Sequence, residues 1–163
     1  MYDFKNKNGI IFGSTGFLGS RLAIKLTKIG ANLILHGKSR AKLVALNKKI
    51  KKLKKNVSLI EADLTNLNFY KDLQKIILSK FSNLDFLIIS IGRFDGLFPL
   101  THITDKMWED SIEINLNSHW RILKNLEPIL NNSNSPKVIL FTHSKIKKGL
   151  PFYNTLKISK LGI

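Results

Sequence analysis

Apolar residues fall along the chain in two alternating kinds of run, and the alternation predicts the fold. Ile10, Ile11 and Phe12 form a short continuous apolar segment, after which Leu18, Leu22, Leu26 and Ile29 recur at helical spacing. The pair then repeats. Asn32 to Leu35 reads as a second strand, followed by a helix with Leu43, Leu46, Ile50 and Leu53 on one face. Val57 to Glu61 reads as a third strand, followed by a helix with Phe69, Leu73, Ile76 and Phe81 on one side. Phe86 to Ile89 gives a fourth strand, and a loop passes through Gly92, Gly96 and Pro99. One long helix is predicted from near Thr104, carrying Trp108, Ile112, Leu116, His119, Leu123, Leu126 and Leu130 at spacings of three and four. Asn115 lies on the rim of that stripe, and Trp108 and Trp120 read as core. The NNSNSP segment ends this helix, Val138 to Phe141 gives a fifth strand, and a final helix begins near Tyr153. Strands that are apolar without alternation are covered on both faces, and their alternation with helices makes the sheet parallel. The expectation is a doubly wound α/β fold.

Composition changes this picture little. A chain of 163 residues with 44% apolar content has the size of one domain, residues 1–163, able to bury a core. No apolar run approaches bilayer length and MYDFKNKNG carries no signal-peptide pattern, so a cytoplasmic protein without membrane attachment is expected. The absence of cysteine excludes disulfides and thiolate metal sites, and the four histidines show no ligand spacing, so no metal is expected. Lys and Arg number 27 against 11 Asp and Glu, a net charge of +16. Such a surface can attract nucleic acid through phosphate contacts. The densest run, KKIKKLKK at Lys48–Lys55, nevertheless threads Ile50 and Leu53 in phase with Leu43 and Leu46, which makes its lysines the solvated side of a helix. No aromatic residues interleave with the basic ones, and a nucleic-acid partner is not expected.

In a doubly wound sheet, ligands collect at the carboxyl ends of the strands. After strand one stands Gly13, with Gly16 and Gly19 behind it: strand, tight turn, helix. A dinucleotide pyrophosphate needs such a turn, because it sits on free backbone N–H groups at a helix N-terminus where side chains would hold it away. After strand two, an NAD site offers a carboxylate to the ribose 2′-OH. This chain has no Asp or Glu from Asn32 through Ile60 and offers Lys38, Ser39 and Arg40, which suit the 2′-phosphate of NADP better than NAD. After strand three, Asp63 could accept from the adenine amino group or serve as a turn cap. Tyr153 and Lys157, four apart at the start of the last helix, share a face. A phenol titrates near pH ~10 when unperturbed, and an ammonium about 4 Å away, at an effective dielectric near 20, favours phenolate by up to about 4 kcal/mol.

The glycine turn GSTGFLG, Asp63, Gly92, Asn115, Ser144, and Tyr153 with Lys157 stand in the order of the short-chain dehydrogenase/reductase family, which the chain resembles over nearly its whole length. The stretch PLTHITDKMWEDSIEINLNSHWRILKNLEPIL looks like the fourth-helix region of classical members. The resemblance implies a Rossmann-type sheet of order 3-2-1-4-5 and NADP-dependent hydride transfer between an alcohol and a carbonyl. Tyr153 would be the general acid or base, with Ser144 bonding the same substrate oxygen. Lys157 would bind the nicotinamide ribose and lower the tyrosine pKa, and Asn115 would hold a relay water. Cofactor contacts would come from Gly13, Ser14, Thr15, Gly16, Phe17, Leu18 and Gly19, from Lys38, Ser39 and Arg40, and from Asp63, Leu64, Ser90 and Gly92. The partners implied are a small-molecule substrate and further copies of the chain.

The sequence also departs from the family. Its glycine spacing is that of extended members, which include sugar-nucleotide epimerases. Ser90, Ile91 and Gly92 replace the Asn-Ala-Gly signature, setting a branched side chain where the family has a small one. The interval KIKKGLPF between Ser144 and Tyr153 is short, which leaves Thr142 as an alternative to Ser144. The chain ends at Ile163, where the family continues into further strands, so strand five is expected as an exposed sheet edge of a domain incomplete at its C-terminus. A non-catalytic nucleotide-binding remnant is the alternative that these departures raise. His143 beside Ser144 is not read as a hydrolase pair, since neighbours on a strand face opposite ways.

Overall fold

The structure is a computed structural model and describes residues 3–53, 55–142 and 151–163. Five parallel strands pair in the order β3-β2-β1-β4-β5: β1 (Asn8–Phe12), β2 (Asn32–Gly37), β3 (Ser58–Glu61), β4 (Phe86–Ile89) and β5 (Lys137–Leu140). Successive side chains of a strand face opposite ways. Ile10, Phe12, Leu87 and Ile89 therefore enter one core with α3 (Leu67–Leu78) and α5 (Ser118–Leu130), through Leu73, Ile77, Ile122 and Leu126. Ile11, Leu35, Phe86 and Ile88 enter the other with α1 (Phe17–Lys28) and α2 (Arg40–Lys51), through Ala23, Leu26, Leu43, Leu46 and Ile50. The lysines of α2 lie on its solvated side, as its apolar spacing predicts. Val138 and Ile139 are exposed on β5, which pairs with β4 at the sheet edge.

The predicted long helix from Thr104 onward is helical without interruption to Leu130, with one turn of a different kind inside it. Its path is α4 (Asp105–Ile112), a π-helical turn at Glu113–Asn117, and then α5. A π turn inserts extra backbone per turn and shifts the phase of every side chain around it. The apolar stripe drawn at α-helical spacing therefore holds beyond the turn, where His119, Leu126 and Leu130 are buried, and fails before it at Trp108. Trp108 is 39% and Trp120 57% exposed, whereas Ser111, Asn115, Ser118 and His119 are buried. Asn115 is thus an interior residue and not a boundary one, and both tryptophans lie outside the core. The final helix, α6 (Asn154–Leu161), packs against α4 and the π turn. No described helix is long and apolar enough to cross a membrane.

At the amino end of the sheet, Asp85 stitches strands and loops together. Its carboxylate accepts from the Asn8 N–H at 2.8 Å and the Ser133 hydroxyl at 2.8 Å, and pairs with the Lys7 ammonium at 3.5 Å. Burial pushes this carboxyl up, but the Asn8, Ser133 and Lys7 contacts outweigh it and hold the group below the usual carboxylate range. Removing a charged acceptor leaves the half-buried Asn8 N–H without its partner, a loss of about 1.5–3 kcal/mol. Asp85→Ala is expected to lower unfolding stability by about that amount, read from urea midpoints at pH 7.

Candidate functional site

β1 lies between β2 and β4, so the chain connections leave it in opposite directions and a crevice opens at its carboxyl end. The first wall is the turn that follows Phe12. Gly13 has φ 74°, a conformation L side chains rarely adopt, and a Cβ there would overlap the Ser90 carbonyl oxygen. A Cβ on Gly19 would overlap the Gly13 carbonyl oxygen. Both glycines are thus required by backbone packing, independently of any ligand. Gly16 caps α1 with no side-chain hydrogen bond, and the Ser20 N–H reaches the Gly16 carbonyl at 3.0 Å. The amides of Phe17, Leu18 and Gly19 precede that bond at the positive end of the helix dipole.

The crevice has a volume of about 280 Å³ and is lined by Gly13, Thr15, Gly16, Lys38, Asp63, Leu64, Ser90 and Gly92, all named from the sequence, together with His36, Gly37, Ala62, Ile91 and Ile114. Six expected cofactor residues do not line it. Ser14 is buried, with its N–H and its hydroxyl both on the His36 carbonyl at 2.9 Å. Phe17 is exposed with the Arg21 guanidinium 3.5 Å over its ring, and Leu18 is exposed beside it. Gly19 is packed against the turn. Ser39 caps α2 by accepting from the Lys42 N–H at 3.4 Å, and Arg40 stands exposed at the first position of that helix.

Lys38 and Asp63, expected to serve different parts of a nucleotide, pair with each other at 2.6 Å across the mouth. Burial raises the Asp63 carboxyl, but hydrogen bonds from Lys38 and Thr65 prevail and hold it below the ordinary range. His36 forms the floor, its ring 4.8 Å from that of Phe12 and 5.7 Å from that of Phe69, with Nε2 3.1 Å from the Ala62 carbonyl oxygen. Desolvation lowers its pKa to about 4, so the imidazole is neutral at pH 7.

On the far wall, Asn115 bonds to one residue from both sides. Its Oδ1 accepts from the Arg93 N–H at 2.7 Å, and its Nδ2 donates to the Arg93 carbonyl at 2.9 Å and to the Ser111 hydroxyl at 3.0 Å. The Arg93 guanidinium is itself held by Asp95 and Asp110. Tyr153 stands at the N-cap of α6, its ring stacked on Phe94 at 5.6 Å and 19° between planes. The Lys157 N–H donates to the Tyr153 carbonyl at 2.8 Å, which sets the two residues one helical turn apart. Neither lines the crevice. Ser144 and His143 lie outside the described residues; Thr142 is described and exposed. Sequence reasoning missed His36, Arg93, His119 and Lys160. For His36 the signal was available, since it is the penultimate residue of a strand whose carboxyl end faces the crevice.

Strand order and crevice together define a Rossmann-type α/β domain. A family model described as enoyl-(acyl carrier protein) reductase matches residues 15–163, and the chain belongs to this short-chain dehydrogenase/reductase family. It is 24% identical over 139 residues to an uncharacterized oxidoreductase of Staphylococcus epidermidis, covering 85% of this chain and 59% of that one. It is 31% identical over 120 residues to a 3-oxoacyl-[acyl-carrier-protein] reductase of Rickettsia typhi, covering 74% and 46%. A short chain dehydrogenase of Escherichia coli CFT073, solved with NADPH, superposes with a TM-score of 0.92 at 20% identity, covering 98% of this chain and 68% of that one. The chain thus spans 59% of the length of the first of these relatives and 46% of the second.

Folded His36 titrates near 4 and unfolded histidine near 6.5, so between these values the unfolded chain binds the extra proton and stability falls as pH drops. His119, lowered to about 3 by burial and then by the Lys160 charge, acts in the same direction. Unfolding free energy is expected to be lower at pH 5 than at pH 7 by about 2 kcal/mol for His36 alone. Urea titrations at the two pH values measure the difference, and His36→Leu should reduce it by about 2 kcal/mol, leaving the His119 share.

Proposed function

We propose that residues 1–163 act as one cofactor-binding domain of an NADP-dependent oxidoreductase that interconverts an alcohol and a carbonyl. The observation that carries this reading is the crevice itself, which sets the amide end of α1 beside Lys38 with no carboxylate following β2 before Glu61. The residues present fit such a group. Gly16 lines the crevice at the start of α1, the α1 amides suit a pyrophosphate, and Lys38 and Arg40 suit a 2′-phosphate once Lys38 exchanges Asp63 for it. Asp63, so released, is free to accept from an adenine amino group. An NADPH-bound neighbour of the same fold supports the choice of cofactor.

Bound there, NADPH supplies a hydride to the substrate carbon. Tyr153 gives a proton to the substrate oxygen in reduction and takes it back in oxidation, with Lys157 one helical turn later on the same helix. Phe94, stacked on the phenol, fixes its plane. Asn115 and Ser144 take the roles of relay and oxygen-binding residues. The substrate is a small molecule, the working form is a homo-oligomer, and the compartment is the cytoplasm. A second reading, a nucleotide-binding domain without turnover, is favoured by the position of Tyr153 off the crevice lining.

Nicotinamide fluorescence titrations test the cofactor. NADPH is expected to bind more tightly than NADH, and Lys38→Ala with Arg40→Ala to weaken NADPH about tenfold or more while leaving NADH nearly unchanged. Binding of neither dinucleotide would overturn the reading. For turnover, Tyr153→Phe is expected to slow carbonyl-dependent NADPH oxidation by about 10²–10⁴-fold with NADPH affinity kept. Tight NADPH binding with no oxidation across a ketone and 3-oxoacyl thioester panel would select the second reading.

A further inference from the structure

Lys160 is turned inward from α6 and is only 6% exposed, although this chain otherwise carries a large excess of basic residues over acidic ones. Its Nζ donates to the Ile91 carbonyl at 3.0 Å and lies 3.5 Å from Nε2 of His119 on α5. Of the carboxylates on α4 and the π turn, Asp110 pairs with Arg93 and Lys106, Glu113 with Arg121 and Asn117, and Asp105 and Glu109 are exposed to solvent. A desolvated ammonium without a carboxylate costs stability that an apolar side chain of the same length would not. Packing alone therefore does not account for a lysine here.

What the ammonium holds does account for it. β4 ends at Ile89, and Ser90, Ile91 and Gly92 line the crevice beyond the reach of regular sheet pairing. The Ser90 N–H still donates to the Phe12 carbonyl at 2.9 Å, and Asn115 secures Arg93 on both sides. Between those anchors, the Ile91 carbonyl is held by Lys160. We propose that Lys160 is a positioning residue, which fixes the Ser90–Gly92 wall of the crevice through the Ile91 carbonyl while neutral His119 seats its ammonium. Burial lowers Lys160 to about 8, and His119 to about 3 by burial first and the lysine charge second. The charged grip is thus present at pH 7 and weakens as pH rises through about 8. Only the nucleotide arm of the test rests on the cofactor reading above.

The test uses the full chain with Lys160→Met, nearly the same length without charge or donor, and Lys160→Gln, which keeps an N–H donor. Hydrogen exchange of the free protein at pH 7 is expected to be at least tenfold faster for residues 90–96 in Lys160→Met and intermediate in Lys160→Gln. Exchange in β1 and β2 should stay unchanged and the thermal midpoint should not fall. With NADPH as probe, wild-type affinity should weaken at least threefold from pH 7 to pH 9, and the Lys160→Met profile should lack that step. Unchanged loop exchange, or a rise matched by a general loss of protection, would overturn the proposal. If the wild type binds no NADPH, the cofactor reading fails and the exchange arm still decides the role of Lys160.

Discussion

The close approach of the Gly13 backbone to the Ser90 carbonyl is the constraint on which the rest of the site depends. It brings the carboxyl end of β1 against the carboxyl end of β4 at the place where the sheet order reverses, and so decides how wide the crevice is and where α1 points. A side chain at Gly13 would push these strand ends apart, and one at Gly19 would lift α1 from the turn. The two glycines thus fix the shape of a cradle before any ligand is considered. A side chain at Gly16 would meet the Gly13 carbonyl oxygen less closely, at 3.3 Å.

The other side of the crevice is held by polar groups in the interior. Around the π turn between α4 and α5, Ser111, Asn115 and Ser118 are buried, although the apolar spacing puts Asn115 only at the rim of the stripe. Each finds a partner: Asn115 in Arg93 and Ser111, and Ser118 in the Ile114 carbonyl at 2.6 Å. Buried polar groups that are satisfied in this way specify one arrangement, because any slip strands a donor or acceptor in a low-dielectric interior. The loop that follows β4 is therefore organised from helices rather than from the sheet, by Asn115 and by Lys160.

Charge follows the same division. Most basic residues stand on outer faces such as that of α2, where solvent and salt screen them. Those near the crevice are constrained: Lys38 by Asp63, Arg93 by Asp95 and Asp110, and Lys160 by burial against His119. A surplus of positive charge that says little about fold thus includes a few groups whose geometry bears directly on the site.

The sequence by itself determined the parallel sheet and its two apolar layers, because runs such as Ile10–Phe12 and Phe86–Ile89 are local signals that alternate with helical spacing, while the strand order followed from the family resemblance. It also singled out more than half of the residues that line the crevice, because strand ends and glycine turns are themselves local features. Tertiary structure decided what is not local. It buried Asn115 and left Trp108 exposed around the π turn between α4 and α5, which no local spacing signals. It turned Ser14 into a buried tie to β2 and left Phe17, Leu18, Ser39 and Arg40 off the crevice lining. It paired Lys38 with Asp63 across 25 positions of sequence, and Lys160 with the Ile91 carbonyl across 69. Spacing along the chain reports which residues share an element; which residues meet between elements is fixed only when the cores on both faces of the sheet are packed.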